Sequence, residues 1–310
     1  MDASVKDSDG YEEILGYKIY HREFTPEKPR GNLVCLHGGP GASHDYLLPL
    51  AKLANHGYKV VFYDQLGCGR SFLPKNNALF TIERNVEELE ALRKKLDLGK
   101  IHLMGSSYGG LLALAYALKY QKQLKSIITT GGLADVPLTI REMERLKSEL
   151  PPEVQEVLKK YEDLGDYENP EYQKAVMVFY KEHLLRLNEW PPEQMHTMEH
   201  MSRPVYYTMN GPNEFTIIGN IRYYDITDEL HTIHVPTLVT GGKFDEVTPK
   251  VARSIHEHVK GSRLVIFQKS SHLAMWEEPE KYTETLSLFL DGVEEKATRK
   301  RKKTRATTTR

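Results

Sequence analysis

Short apolar runs and amphipathic stretches alternate through the first 130 residues. Leu33-Val34-Cys35-Leu36 is an apolar run closed by His37-Gly38-Gly39-Pro40-Gly41. Tyr58 to Tyr63, rich in valine and aromatic residues, is a second; Lys100 to Gly105 is a third; Leu124 to Thr130, ended by Gly131-Gly132, is a fourth. Runs of this length bounded by turn residues predict buried β-strands. Between them, Val86, Leu89, Leu92 and Leu96 recur near helical spacing within Thr81 to Leu98, and Leu111 to Tyr120 is rich in alanine and leucine. Strands alternating with helices predict an α/β fold, a mostly parallel sheet with helices on both faces.

The alternation breaks at about Asp135. From Val136 to Asp225 the pattern is mainly helical, with prolines at first-turn positions marking starts at Pro152, Pro170 and Pro192. Glu153 to Tyr161 and Glu171 to Arg186 read as helices. Strand patterning resumes at Pro236 to Gly241, followed by a helix over Val247 to Val259, a strand at Arg263 to Phe267 and a last helix over Pro279 to Leu290. The organisation that follows is a discontinuous core, residues 1–135 and 226–292, with an inserted helical cap at 136–225. Residues 293–310 are expected to form a basic, disordered tail.

Two glycine-rich turns carry candidate chemistry. Gly105-Ser106-Ser107-Tyr108-Gly109 fits G-x-S-x-G, and it directly follows a strand and precedes a helix, the context such a nucleophile elbow needs. A side chain at Gly105 or Gly109 would collide with neighbouring backbone in so sharp a turn. The turn would lift the Ser107 hydroxyl above the sheet edge at a helix N-terminus, where developing negative charge is favoured. The His37–Gly41 loop also follows a strand, and its glycines let backbone N–H groups approach a ligand. The N–H groups of Gly39 and Tyr108 would together hold an oxyanion. His37 is expected to order this loop, not to react.

The chain order of an α/β-hydrolase triad is serine, acid, histidine. Asp245 follows the strand and turn Thr237 to Gly242, and His272 follows the strand Leu264 to Phe267, so both fall at carboxyl ends of strands, where such sheets build their sites. Asp245 would orient the imidazole and His272 would take the Ser107 proton. Taken singly, Asp245 also reads as a cap for the following helix and His272 as a core histidine. The remaining histidines near this region, His231, His234, His256 and His258, fit the order less well. No H-E-x-x-H and no paired C-x-x-C is present, so neither a metal nor another cofactor is expected.

Charge narrows the partners. Lysine and arginine total 42 against 43 acidic residues, but residues 296–310 hold eight of the bases and no acid. Without them, 34 basic face 43 acidic residues, a body charge of −9. Nucleic acid is therefore not expected as a partner except through the tail. Two cysteines, Cys35 and Cys68, cannot make a disulfide scaffold. With no membrane-length apolar run and no secretory h-region, they predict a cytoplasmic protein without membrane contact.

Three runs together resemble the proline iminopeptidase family of α/β hydrolases: His37-Gly38-Gly39-Pro40-Gly41, Tyr63-Asp64-Gln65-Leu66-Gly67-Cys68-Gly69-Arg70-Ser71, and Gly105-Ser106-Ser107-Tyr108-Gly109-Gly110. Gly211-Pro212-Asn213-Glu214-Phe215 and Asp245-Glu246-Val247-Thr248-Pro249 belong to the same resemblance, which spans roughly residues 10–290. It implies release of an N-terminal residue, preferably proline, from short peptides with a free N-terminus. It also implies that Glu214 and Glu246 bind the substrate's α-ammonium, and it raises a large, tricorn-like peptide-trimming protease complex as a candidate partner. The basic tail has no counterpart in the resemblance. Two other readings stay open on the residues alone: a carboxylesterase or other small-acyl hydrolase on the same fold, and a non-catalytic binding protein on a hydrolase scaffold.

Overall fold

The computed structural model describes residues 4–308, with side chains through Arg299. An antiparallel hairpin opens the chain: β1 (Lys6–Ile14) and β2 (Tyr17–Thr25). It is absent from the reading of the sequence because β1 lies at the sheet edge with only Ile14 buried, so no apolar alternation marks it. Next come β3 (Gly31–Leu36), a 3-10 helical stretch at His44–His56, β4 (Tyr58–Tyr63), α1 (Ile82–Lys95), β5 (Ile101–Ser106), α2 (Tyr108–Tyr120) and β6 (Leu124–Thr130). The Thr81 hydroxyl caps α1 by accepting from Arg84 N at 3.2 Å, which fixes where that helix starts.

The helices α3 (Val136–Ser148), α4 (Pro152–Leu164), α5 (Pro170–His183), α6 (Pro192–Glu199) and α7 (Arg203–Met209) follow, three of them beginning at the prolines that marked them. The chain then returns to β7 (Thr237–Gly242), α8 (Pro249–His258), β8 (Arg263–Phe267), the short α9 (Ala274–Glu277) and α10 (Pro279–Thr308). This helical segment leaves and re-enters the sheet layer at one place. Asp135 and Asp225 form an isolated antiparallel bridge, with Val136 N donating to Tyr224 O and Ile226 N to Ala134 O, both at 3.0 Å.

The sheet order is β1-β2-β4-β3-β5-β6-β7-β8. β2 meets β4 antiparallel, and every pairing from β4 to β8 is parallel. Side chains alternate between its faces as the pleat requires. Val34 and Leu36 join the core beneath α1 and α2, while Leu33 and Cys35 join the core beneath the His44–His56 stretch and α10. Covered on both faces, β5 and β7 are buried at every position. Cys35 is inert core, its thiol pushed far up by burial. Cys68 is likewise buried, and desolvation raises its thiol well above the ordinary range.

The expected boundary at residue 293 falls inside α10. Val293 packs against the core, and Glu294 accepts from His102 Nε2 at 3.0 Å and Lys125 Nζ at 2.5 Å, so the helix that was expected to stop at Leu290 is carried onward by packing and charge. The structure thus places the segment expected to be disordered in a helix as far as Thr308. Six of the tail's eight basic side chains, the one place where a nucleic-acid contact was left open, lie outside the described side chains.

Candidate active site

The elbow sets Ser107 at φ 57° and ψ −126°, a backbone conformation that side-chain-bearing residues rarely adopt. Ser107 N donates to Thr130 O at 2.9 Å, and Ser107 O accepts from Gly110 N at 2.7 Å as α2 begins. The flanking glycines are required by contact with backbone. A Cβ on Gly105 would fall on the Gly109 carbonyl, and one on Gly109 would fall on the Leu36 carbonyl. The same closeness brings the glycine-rich loop to the elbow: a Cβ on Gly38 would lie 2.8 Å from Ser107 Cβ.

That loop is held from beneath. Gln65 N donates to His37 Nε2 at 3.0 Å and Gln65 Nε2 to His37 O at 2.9 Å, so the buried His37 orders the loop as expected. Asp64, fully buried, accepts from His44 N and Arg70 N, and its carboxylate lies 2.8 Å from His44 Nδ1. Burial works against the Asp64 charge, but the hydrogen bond and charge of His44 keep its pKa below the usual range. The D-Q-x-G-C-G-R-S run is thus a brace under the Gly39 loop. Tyr46, from the 3-10 stretch, completes it by accepting from Gly38 N at 2.7 Å. Sequence reasoning missed Tyr46 because nothing in the pattern of His44–His56, with Pro49 inside it, announces a helix facing the site.

Asp245 and His272 come together as the chain order required. Asp245 Oδ1 lies 2.6 Å from His272 Nδ1 and also accepts from Val247 N at 2.8 Å; it does not cap the following helix, which begins at Pro249 with Thr248 at its N-cap. A Cβ on Gly131 would reach within 2.6 Å of the His272 ring, which explains the glycine at the end of β6. The His272 loop hangs on two carboxylates the sequence did not flag. Glu277 accepts from Ser271 N and Oγ, and Glu278 accepts from Lys269 N and Ser270 Oγ. The end of α5 adds a clamp: His183 O accepts from both Glu246 N at 3.2 Å and His272 N at 3.1 Å. His256 and His258 bond locally, to Ser262 Oγ and Ser254 O.

A cavity of about 380 Å³ is lined by Gly39, Ser107, His272, Glu214, Tyr180 and Tyr206, among others. Tyr108 lines a smaller space of about 20 Å³ that shares Gly39, Ser107 and Glu214. Tyr206 donates to Glu214 Oε1 at 2.8 Å, and Glu214 N donates to Tyr180 Oη at 3.3 Å. Tyr206 therefore faces the cavity beside Glu214; its neighbour Tyr207 lines the same cavity but is 43% exposed and donates to Glu168. Glu246 does not line the larger cavity. Its carboxylate is buried, 3.9 Å from His272 Nε2, and neither oxygen has a hydrogen-bond partner.

These carboxylates crowd one imidazole. Burial raises the pKa of Glu214, against the hydrogen bond from Tyr206. Burial, with the charges of Glu214 and Asp245, raises that of Glu246 well above the ordinary range. Burial alone would depress the imidazolium of His272, but Asp245, by charge and hydrogen bond, then Glu246 and Glu214, push its pKa up to about 10. A neutral Glu246 cannot hold a proton on His272 and a charged one can, so the cluster shares its protons. No group of three or more histidine, cysteine or carboxylate side chains among the described residues is arranged to hold a metal ion, and no helix among them is long and apolar enough to cross a membrane.

The family model of the alpha/beta hydrolase fold matches residues 31–279. A proline iminopeptidase of Saccharolobus solfataricus is 54% identical over 292 residues, 94% of each chain, and one of Thermoplasma volcanium is 53% identical over 91% of this chain and 96% of its own. Among solved structures, a proline iminopeptidase of Mycobacterium smegmatis superposes with a TM-score of 0.88 at 30% identity, covering 94% of this chain and all of the other. Identity at this level along nearly the whole of both chains means that this chain belongs to the proline iminopeptidase family of α/β hydrolases.

Proposed function

We propose that this protein is a serine aminopeptidase that releases N-terminal residues, proline preferred, from short peptides. The observation that carries this reading is a half-buried carboxylate, Glu214, lining the same cavity as Ser107 and His272. A hydrolase of simple esters has no use for a carboxylate at that place. A peptide's N-terminal ammonium does, because it gains a charge-assisted hydrogen bond there that an internal peptide N–H cannot make.

In this mechanism Ser107 Oγ attacks the carbonyl of the first residue while His272 Nε2 takes its proton. Asp245 stabilises the imidazolium through Nδ1. The N–H groups of Gly39 and Tyr108 receive the oxyanion. His272 then passes the proton to the departing amine as the C–N bond breaks. Water, deprotonated by the same imidazole, frees the first residue from the Ser107 ester. Glu214 fixes the amine end, so that only the first peptide bond reaches Ser107. No metal or organic cofactor takes part in these steps.

The test is a scan of aminoacyl arylamides and of peptides of increasing length, run on the wild type and on Ser107→Ala. Proline arylamide is expected to lead the scan. Ser107→Ala should remain folded and lose roughly 10⁴-fold or more in kcat, since triad members act as a unit. A folded mutant that keeps a tenth of the activity, or a wild type that prefers aryl esters to every arylamide, would sink the reading.

A further inference from the structure

The position of Glu246 is hard to explain as a simple anchor. It lies outside the lining of the larger cavity, yet it is fully buried, carries two unpartnered oxygens and approaches His272 Nε2, the nitrogen that must accept the Ser107 proton. A buried carboxylate with no hydrogen bond is costly to leave ionised. Its one nearby compensation is a positive charge on that imidazole.

The groups facing His272 come from several elements. Asp245 and Glu246 come from the turn between β7 and α8, and Glu214 from the loop after α7. The phenols of Tyr180 on α5 and Tyr206 on α7 line the same cavity, and the His183 carbonyl meets His272 N. Arg203, a cation on that lining, has a side chain 73% exposed and is paired with Glu168 at 3.2 Å. The inner surroundings of His272 are therefore anionic, and a base surrounded by anions holds its proton.

We infer that Glu246 acts through His272: in the free enzyme it helps keep the imidazole protonated and unable to serve as a base, and the substrate's ammonium group, entering beside Glu214, expels that proton and makes His272 competent. The inference rests on the aminopeptidase reading above and gives the amine a second task. The proton balance is simple. The ammonium brings one positive charge into the cluster, the Nε2–H bond of His272 breaks, and the proton leaves to solvent. Nε2 is then free to accept the proton of Ser107 and to deliver it to the leaving amine. Glu246 is a positioning residue in this scheme. A ligand without an amine leaves the base blocked, so selection for free N-termini operates on turnover as well as on binding.

The test compares proline p-nitroanilide with p-nitrophenyl acetate between pH 5 and 10. The prolyl group keeps its ammonium through acylation and deacylation, and the acetyl group never has one, so the comparison holds whichever step limits kcat. In the wild type, the acid limb of kcat for the anilide should lie about one pH unit or more below that for the acetate. Glu246→Gln should move the acetate limb to lower pH and raise acetate hydrolysis at pH 7 by about tenfold, a gain that a merely structural residue would not produce. A second measurement does not depend on that variant. Titration of Ser107→Ala with prolinamide at pH 7, in buffers of different ionisation enthalpy, should show proton release on binding. Coincident limbs in the wild type, or binding of prolinamide without proton release, would overturn the inference while leaving the aminopeptidase reading in place. Failure of the wild type to cleave any proline arylamide would remove both.

Discussion

Glu214→Gln separates an aminopeptidase from a generic hydrolase. Glutamine matches glutamate in size, so the cavity keeps its shape and the Tyr206 hydroxyl, now 2.8 Å from Oε1, can still donate to the amide oxygen. What is lost is the charge aimed at the α-ammonium. A hydrogen bond to a charged group contributes roughly 1.5–3 kcal/mol, which converts to about a 10- to 150-fold loss of kcat/KM on proline p-nitroanilide. Hydrolysis of p-nitrophenyl acetate, measured on the alkaline plateau, should be nearly unchanged, since acetate carries no amine. N-acetylproline p-nitroanilide should be a very poor substrate of the wild type. Equal loss of amide and ester activity in the mutant, or cleavage of the acetylated anilide as fast as the free one, would refute the argument that this carboxylate reads an amine.

Three other substitutions test separate links of the structure. Asp245→Asn keeps the contact with His272 Nδ1 but removes the charge that stabilises the imidazolium, and kcat should fall about 10³- to 10⁴-fold; a loss under tenfold would mean that another carboxylate does this work. Gly109→Ala places a methyl on the Leu36 and His37 carbonyls, neither of which can move freely, and should cost about 1–3 kcal/mol in urea unfolding; an unchanged midpoint would contradict the tight elbow. Glu294→Gln tests the hold on α10. Burial resists ionisation of Glu294, but the hydrogen bonds from His102 and Lys125 overcome it and lower its pKa to about 2. A carboxylate depressed in the folded state adds stability above its unfolded pKa and loses it as pH falls towards the folded value. The mutant should therefore be about 1–3 kcal/mol less stable at pH 7, with the gap closing between pH 4 and 2; a gap independent of pH would assign the effect to packing.

The parallel strands were legible because a strand buried on both faces must be apolar at nearly every position, and Leu33–Leu36 and Tyr58–Tyr63 are. The elbow and the order of Asp245 and His272 were legible for a related reason, since their glycines and strand ends are steric requirements written locally. The first hairpin was not, because its edge strand alternates between water and partial burial. One local mark was available: Ile14 pairs with Tyr17 across Leu15-Gly16, whose φ values of 49° and 84° make a two-residue hairpin turn. With leucine where asparagine or aspartate usually stands, that turn carries little signal. The supports of the site, Tyr46, Glu277, Glu278 and the His183 carbonyl, were invisible for another reason. Each acts through one or two polar contacts to irregular backbone, and no periodicity records such contacts.

The antiparallel bridge between Asp135 and Asp225 makes the intervening helices separable in topology, because their two ends already sit side by side. A splice from Ala134 to Ile226 would need only a tight turn, and the sheet could close without them. The chemistry is not separable in the same way. Glu214, the Tyr206 hydroxyl and the His183 carbonyl that receives His272 N and Glu246 N all lie in the segment such a splice removes. Modularity here is therefore one-sided. The sheet can exchange this insert for another and keep its fold, but an insert grafted from elsewhere brings working chemistry only if it carries its own acceptor to the histidine loop.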